Sequence, residues 1–301
     1  MKKPFFFSLK LAVSLGLIAW LAARVDLAPL GERLGAADAG WTLAALGVFA
    51  AQLLVAAVRW KHIQQAIGAP LGLRDAVELA LIGQFFSQTL PSAIGGDAVR
   101  AALAARRGVP AARAASGVLV DRGTALVVLV ALVALCLPLT ATVAPDPALL
   151  GVLGALVAAT AVGLGVLVLA ERHLLGRLAP GRIAGFATAL AGDLRAALVR
   201  PDIVALAVAV HLGVIATMWL LAQALGIAVG FAACLVLVPP IVLLTTLPVS
   251  LAGWGVRESA AVAGFALVGV PAGEALALSV AFGLAQIAAG LPGLVLWLKG
   301  R

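Results

Sequence analysis

The chain has 301 residues, of which 63% are apolar and 11% charged, with a formal net charge of +8. Soluble domains carry about 25% charged residues, so most of this surface is suited to lipid. No length remains for a soluble catalytic domain of ~100 residues or more. The basic excess follows the loops, as the positive-inside rule requires, so no nucleic-acid partner is expected. Cys136 and Cys234 lie in apolar runs without disulfide or metal-ligand spacing.

A bilayer core needs ~20 apolar residues per helix. Lys2 and Lys3 precede the apolar stretch 5–23, which contains Lys10. It reads as an uncleaved first helix with Lys10 snorkelling, a cleaved secretory signal being the other reading. Stretches 41–58, 123–145, 147–170 and 275–298 follow as spans. Stretch 203–256 has no Lys, Arg, Asp or Glu and is too long for one span, so it turns back near Gly226 and Gly230. In 171–202, Ile183, Phe186, Leu190, Leu194 and Leu198 recur at helical spacing. This predicts an amphipathic cytoplasmic connector between two halves.

With the N-terminus inside, Arg59, Lys61, Arg74, Arg106, Arg107 and Arg113 all face the cytoplasm. So do Arg172, Arg177, Arg182, Arg195, Arg200, Lys299 and Arg301, while Asp146 and Glu274 fall in outer loops without basic residues. Only the first outer loop mixes signs, with Arg24 and Arg33 beside Asp26, Glu32 and Asp38. Both termini are expected in the cytoplasm.

Two segments repeat. Thr89-Leu90-Pro91, Gly96 and Val99-Arg100 match Thr246-Leu247-Pro248, Gly253 and Val256-Arg257 at a constant offset of 157. A Gly-Val-Pro-Ala follows each, at Gly108 and Gly269, with a different spacing. Each repeat lies in a stretch too broken for an ordinary span. Residues 76–90 enter and 94–105 return; residues 232–247 enter and 257–268 return. The charges place the two hairpins on opposite faces. The expected fold is all-α and polytopic, a single transmembrane domain over 1–301. About six full spans and two opposed re-entrant hairpins give about eight hydrophobic segments. Residues 41–138 (hairpin 76–106) and 203–298 (hairpin 232–270) form an inverted-topology pair, joined by 171–202. Such repeats, with irregular backbone at depth, mark many transporters.

Charges inside a membrane are candidates for function. Asp97 and Arg100 lie three apart in the first hairpin, and Arg257 and Glu258 are adjacent in the second. Arginine beside a helix N-terminus suits a phosphate. Arg100 and Arg257, with Gly95, Gly96, Gly253 and Gly255, are read as a polar cavity for a phosphate-bearing headgroup. Asp97 and Glu258 then orient the arginines or take a cationic headgroup or proton. The competing reading is two structural ion pairs. Asp121-Arg122 reads first as an anchor and second as a site. Arg59-Trp60-Lys61-His62 suits the inner interface. Gln84 and Gln88, four apart, share a helical face, and with Glu78 they line the cavity or bond neighbouring helices. His62, His173 and His211 are scattered, no nucleotide loop or serine–histidine–acid grouping occurs, and no metal or cofactor is expected.

The run Leu90-Pro91-Ser92-Ala93-Ile94-Gly95-Gly96-Asp97-Ala98-Val99-Arg100 resembles the lysylphosphatidylglycerol synthase transmembrane-region family. So do Asp121-Arg122, Arg59-Trp60 and Ser250-Leu251-Ala252-Gly253-Trp254-Gly255-Val256-Arg257-Glu258. Ala93 and Ala252 stand where glycine is common in that pattern. The resemblance implies a multi-pass protein of a bacterial inner membrane linked to lipid translocation. In full-length synthases this region is thought to flip aminoacylated phosphatidylglycerol, which a separate soluble domain makes. This chain ends at Arg301 without that domain, so it is not expected to be an enzyme. Stand-alone relatives are associated with hopanoids and glycolipid precursors. The expected function is a flippase for a polar or phosphate-bearing lipid, with membrane lipids and a separately encoded lipid-synthesising enzyme as partners. The alternatives are a scaffold for such an enzyme, and an intramembrane headgroup enzyme using Asp97, Asp121 or Glu258.

Overall fold

The computed structural model describes residues 16, 28–90, 95–173, 182–246 and 253–300. The predicted first helix, and with it the signal-peptide reading, lies outside these residues, as do 91–94 and 247–252 of the two repeated segments. The described residues form helices and no strands. In chain order these are α1 (Ala28–Gly35), α2 (Ala39–Ala66), α3 (Leu73–Thr89), α4 (Gly95–Arg106), α5 (Ala111–Val143) and α6 (Pro147–His173). They continue with α7 (Arg182–Leu198), α8 (Pro201–Ala224), α9 (Phe231–Thr246), α10 (Val256–Ala266) and α11 (Ala272–Lys299).

Five of them, α2, α5, α6, α8 and α11, are long and apolar enough to cross a membrane. Helices α2, α6 and α11 contain the expected spans 41–58, 147–170 and 275–298, α5 covers 123–145 as far as Val143, and the chain turns between α8 and α9 at the expected glycines. Helix α5 begins at Ala111, a dozen residues before the apolar stretch. Asp121 and Arg122 therefore sit within a helix and not at its start.

The other elements of the two halves are shorter. Helices α3 and α4 have 17 and 12 residues, and α9 and α10 have 16 and 11. At 1.5 Å per residue none reaches the ~30 Å of a hydrocarbon core. Arg107 closes the open end of the first pair, its Nη1 and Nη2 each 2.6 Å from Asp75 and Glu78 on α3. Gly264 of α10 packs on Ile241 of α9 in the second.

Antiparallel α2 and α8 fix the frame. At one end the Asp38 N–H donates to the Ala224 carbonyl at 2.8 Å. At the other, His62 Nδ1 lies 2.6 Å from Asp202 Oδ2. The first helix pair opens beside the His62 end, where α2 hands over to α3. The second opens beside the Asp38 end, where α8 hands over to α9 and where Arg33 of α1 meets Glu274 of α11 at 3.1 Å.

Each short return helix ends in the same way. Gly108 and Gly269 take φ of 93° and 80°, a region that glycine reaches without steric penalty. The following Val109 and Val270 are buried, and their N–H groups donate back to Ala104 and Phe265 at 3.2 and 3.1 Å. This is the hydrogen-bond pattern of a Schellman cap. Pro110 and Pro271 then precede α5 and α11. The Gly-Val-Pro-Ala segments are thus equivalent corners, although their offset of 161 differs from the 157 of the arginine pattern.

Helix α3 packs closely on α11. A Cβ on Gly293 would meet the Leu81 carbonyl, and one on Gly290 would come within 3.2 Å of Phe85 Cα. Small residues allow such backbone approach where lipid supplies no hydrophobic drive. Helix α7 docks on α5, with Leu194 over Gly123 and Asp193 accepting from Arg113 and Ser116.

Candidate functional site

The structure assembles two buried charge networks, one in each half. The first joins α2, α4 and α5. Asp121 on α5 accepts from Arg59 Nε of α2 at 3.0 Å and from Arg100 Nη2 of α4 at 2.9 Å. Asp97, in the first turn of α4, accepts from Arg122 Nε at 2.6 Å and lies 3.4 Å from Arg100 Nη2. Arg59, Asp97, Arg100 and Asp121 are all buried, while the Arg122 side chain is 54% exposed. The Arg100 guanidinium also lies over the fully buried Trp60 ring, 4.5 Å from its centroid. Such stacking contributes about 2 kcal/mol when desolvated.

Three arginines face two aspartates here, so the first network has a formal charge of +1. It is also short of acceptors. Arg59 Nη1, Arg100 Nε, Trp60 Nε1, Thr124 Oγ1 and both amide atoms of Gln64 are buried without a partner. Each such orphan costs about 1–3 kcal/mol relative to a satisfied group. Gln88 Oε1 and Ser259 Oγ, elsewhere, complete the set among the described residues. Six of the eight orphan atoms therefore belong to residues of α2, α4 and α5.

The second network joins α10 and α11. Glu258 Oε1 accepts from Arg257 Nη2 at 2.7 Å and from Nε at 3.1 Å. Arg257 Nη1 donates to Gln286 Oε1 at 3.1 Å, and Ser279 lies 3.2 Å from both Arg257 Nε and Glu258 Oε1. Glu258 Oε2 accepts from the Gly255 N–H at 2.7 Å, an N-terminal cap of α10. Trp254 and Phe282 flank the guanidinium at 4.8 and 5.9 Å. A Cβ on Gly283 would collide with Arg257 Nη2, so glycine makes room for the charge. This network is neutral, and each nitrogen of Arg257 has a partner.

Helix α3 separates the two. Gly83 faces Arg100, while the next residue, Gln84, donates to the Gln286 carbonyl at 3.4 Å. Among the described residues no hydrogen bond or ion pair links a member of the Arg100 network to a member of the Arg257 network, so the residues read together from the sequence lie in two networks on either side of α3. Gly95 and Gly96 open α4 instead of forming a free turn. A Cβ on Gly96 would strike Ser87 Oγ and the Gly83 carbonyl, so this glycine serves close packing. Gly253 and Gly255 do form a turn, with φ of 83° and 85°.

Asp121 is the centre of the first network, a larger part than the anchor reading gave it. Arg59 and Trp60 are buried within the bundle, where α2 runs on to Ala66. The polar run Lys61-His62, then Gln64-Gln65, was the available sign that the helix outlasts its apolar stretch. Gln64, Thr124, Ser279 and Gln286 carried no charge to mark them. No three His, Cys, Asp or Glu gather at metal-ligand distance among the described residues.

No curated protein and no solved structure matches the chain. The family model described as the lysylphosphatidylglycerol synthase TM region matches residues 7–293. With an all-helical fold, five long apolar helices and this match over nearly its whole length, the chain belongs to the lysylphosphatidylglycerol synthase transmembrane-region family, membrane proteins related to lipid handling.

Proposed function

We propose that the protein is a lipid flippase that moves a phosphate-bearing lipid across a bacterial cytoplasmic membrane without altering it covalently. In this reading both termini are cytoplasmic, and the pairs α3–α4 and α9–α10 are opposed re-entrant hairpins of an inverted repeat. One observation carries the reading. Two helix pairs too short to span open at opposite ends of the bundle, and each buries an arginine–carboxylate pair at its return helix. A buried charge pair is weak evidence for stability, since apolar packing often replaces it without loss. Charged groups held at depth are instead typical of a path for a polar group. The matched Gly-Val-Pro-Ala corners support the repeat.

The working model is an exchange of access about α3, the helix that both networks touch. A headgroup enters beside one hairpin and leaves beside the other while the acyl chains stay in lipid. Membrane lipids are the partners, and a separately encoded enzyme supplies the lipid.

Purified protein in vesicles containing labelled phosphatidylglycerol tests this. The expected result is movement of unmodified label between leaflets at a rate above that of protein-free vesicles. A rate equal to theirs, or a changed lipid mass, would overturn the proposal, the second outcome pointing to an enzyme.

A further inference from the structure

We infer that the seam between α2, α4 and α5 is a phosphate-binding site, built from Arg59, Arg100, Trp60 and Thr124, and that the Arg257 network is not. This deepens the transport reading and rests on it for the lipid source of the phosphate.

The first observation is what the orphan atoms can do. Arg59 Nη1, Arg100 Nε, Trp60 Nε1 and Gln64 Nε2 are donors, and the Thr124 hydroxyl can donate. Only Gln64 Oε1 is an acceptor alone. The missing partner is thus rich in acceptors. Arg59, Trp60 and Thr124 are each more than nine-tenths buried, so bulk water does not serve them.

The second observation is charge. Counting half-exposed Arg122, the arginines outnumber Asp97 and Asp121 by one, an excess that a single negative charge balances; the buried members alone are neutral. A phosphodiester carries one negative charge, and its oxygens accept hydrogen bonds without donating any. Arginine forks suit phosphate oxygens, and Asp121 already holds two guanidiniums side by side. Asp121 is a positioning residue here. It fixes Arg59 through Nε and Arg100 through Nη2 and leaves Arg59 Nη1 and Arg100 Nε unused. A metal cation would worsen the donor excess. A carboxylate fits the charge but offers fewer oxygens.

The test uses detergent-solubilised full-length protein and calorimetric titration with short-chain phosphatidylglycerol, with diacylglycerol of the same chains, and with inorganic phosphate. Wild type is expected to bind the phospholipid at least about tenfold more tightly than the diacylglycerol, the scale of one hydrogen bond to a charged group. Arg59→Gln removes the excess charge and is expected to erase that preference. Trp60→Phe keeps a ring beneath Arg100 and loses only the N–H, so it covers the case in which Arg59→Gln fails to fold; it is expected to weaken binding several-fold, roughly the share of one donor. Ser259→Ala, which removes the orphan hydroxyl of the other half, is expected to bind as wild type. Competition by inorganic phosphate at millimolar concentration upholds a site for phosphate from either source. Its failure to compete, with the preference intact, upholds a site for the lipid headgroup. Equal binding of phospholipid and diacylglycerol by wild type, or wild-type binding by both Arg59→Gln and Trp60→Phe, would overturn the inference. Transport without phosphate-dependent binding would sink the site and leave the flippase standing, and binding without transport would do the reverse.

Discussion

Arg100 and Arg257 occupy matched places in the sequence, yet Arg100 shares two aspartates with two other arginines, while Arg257 has one glutamate to itself. The difference traces to register. Asp97 and Glu258 both stand in the first turn of their helices and align at an offset of 161, the spacing of the Gly-Val-Pro-Ala corners. The arginines align at 157, so Arg100 sits one helical turn deeper along α4 than Arg257 does along α10. That turn carries Arg100 across to α2 and α5, where Asp121 and Trp60 meet it. Arg257 stays beside its own helix start and is saturated there by Glu258, Ser279 and Gln286. Two matching stretches of sequence thus hold a neutral, fully bonded clamp and a cationic seam short of acceptors.

The contrast is open to test by stability. The largest effect belongs to Arg257→Gln, which leaves Glu258 buried without its cation and is expected to cost about 3–5 kcal/mol. Thermal unfolding in detergent reads the loss, and adding Glu258→Gln should restore much of it. Gly96→Ala comes next, because the added methyl meets the α3 backbone at Gly83; overpacking of this kind costs about 1–3 kcal/mol. The matching Gly253→Ala has space around it but keeps an unfavourable φ of 83°, so it should lose only about 1 kcal/mol. Arg59→Gln should cost less than Arg257→Gln, since it relieves the excess charge and one orphan donor. A larger loss at Arg59 than at Arg257 would break the comparison. Thr124→Val should be smallest, within about 1 kcal/mol of wild type in either direction, because the hydroxyl it removes has no partner to lose.

Much of the fold was legible because membrane spans are written in composition. Helices α2, α5, α6, α8 and α11 contain the long apolar runs, and the short helices α3, α4, α9 and α10 end within a few residues of the breaks that Pro and Gly mark. Helix ends with polar character were harder. Arg59 and Asp121 lie in stretches that read as interface, and only the extension of α2 to Ala66 and of α5 back to Ala111 turns them inward. The candidate site was half legible for the same reason. Charges on α4 and α10 announce themselves, whereas Gln64, Thr124, Ser279 and Gln286 matter through position alone. The separation of Arg100 from Arg257 depends on which face of α3 meets α4 and which meets α11. Gly83 and Gln84 decide that as neighbours, below what a repeated motif can reveal.

The most direct test is the transbilayer rate of labelled phosphatidylglycerol in vesicles carrying equal amounts of folded wild type, Arg59→Gln and Ser259→Ala. The expected result is a wild-type rate above that of protein-free vesicles, about tenfold slowing in Arg59→Gln, and no change in Ser259→Ala. Wild-type speed in Arg59→Gln would remove the α2–α4–α5 seam from the transport path, and a wild-type protein no faster than lipid alone would rule out a flippase.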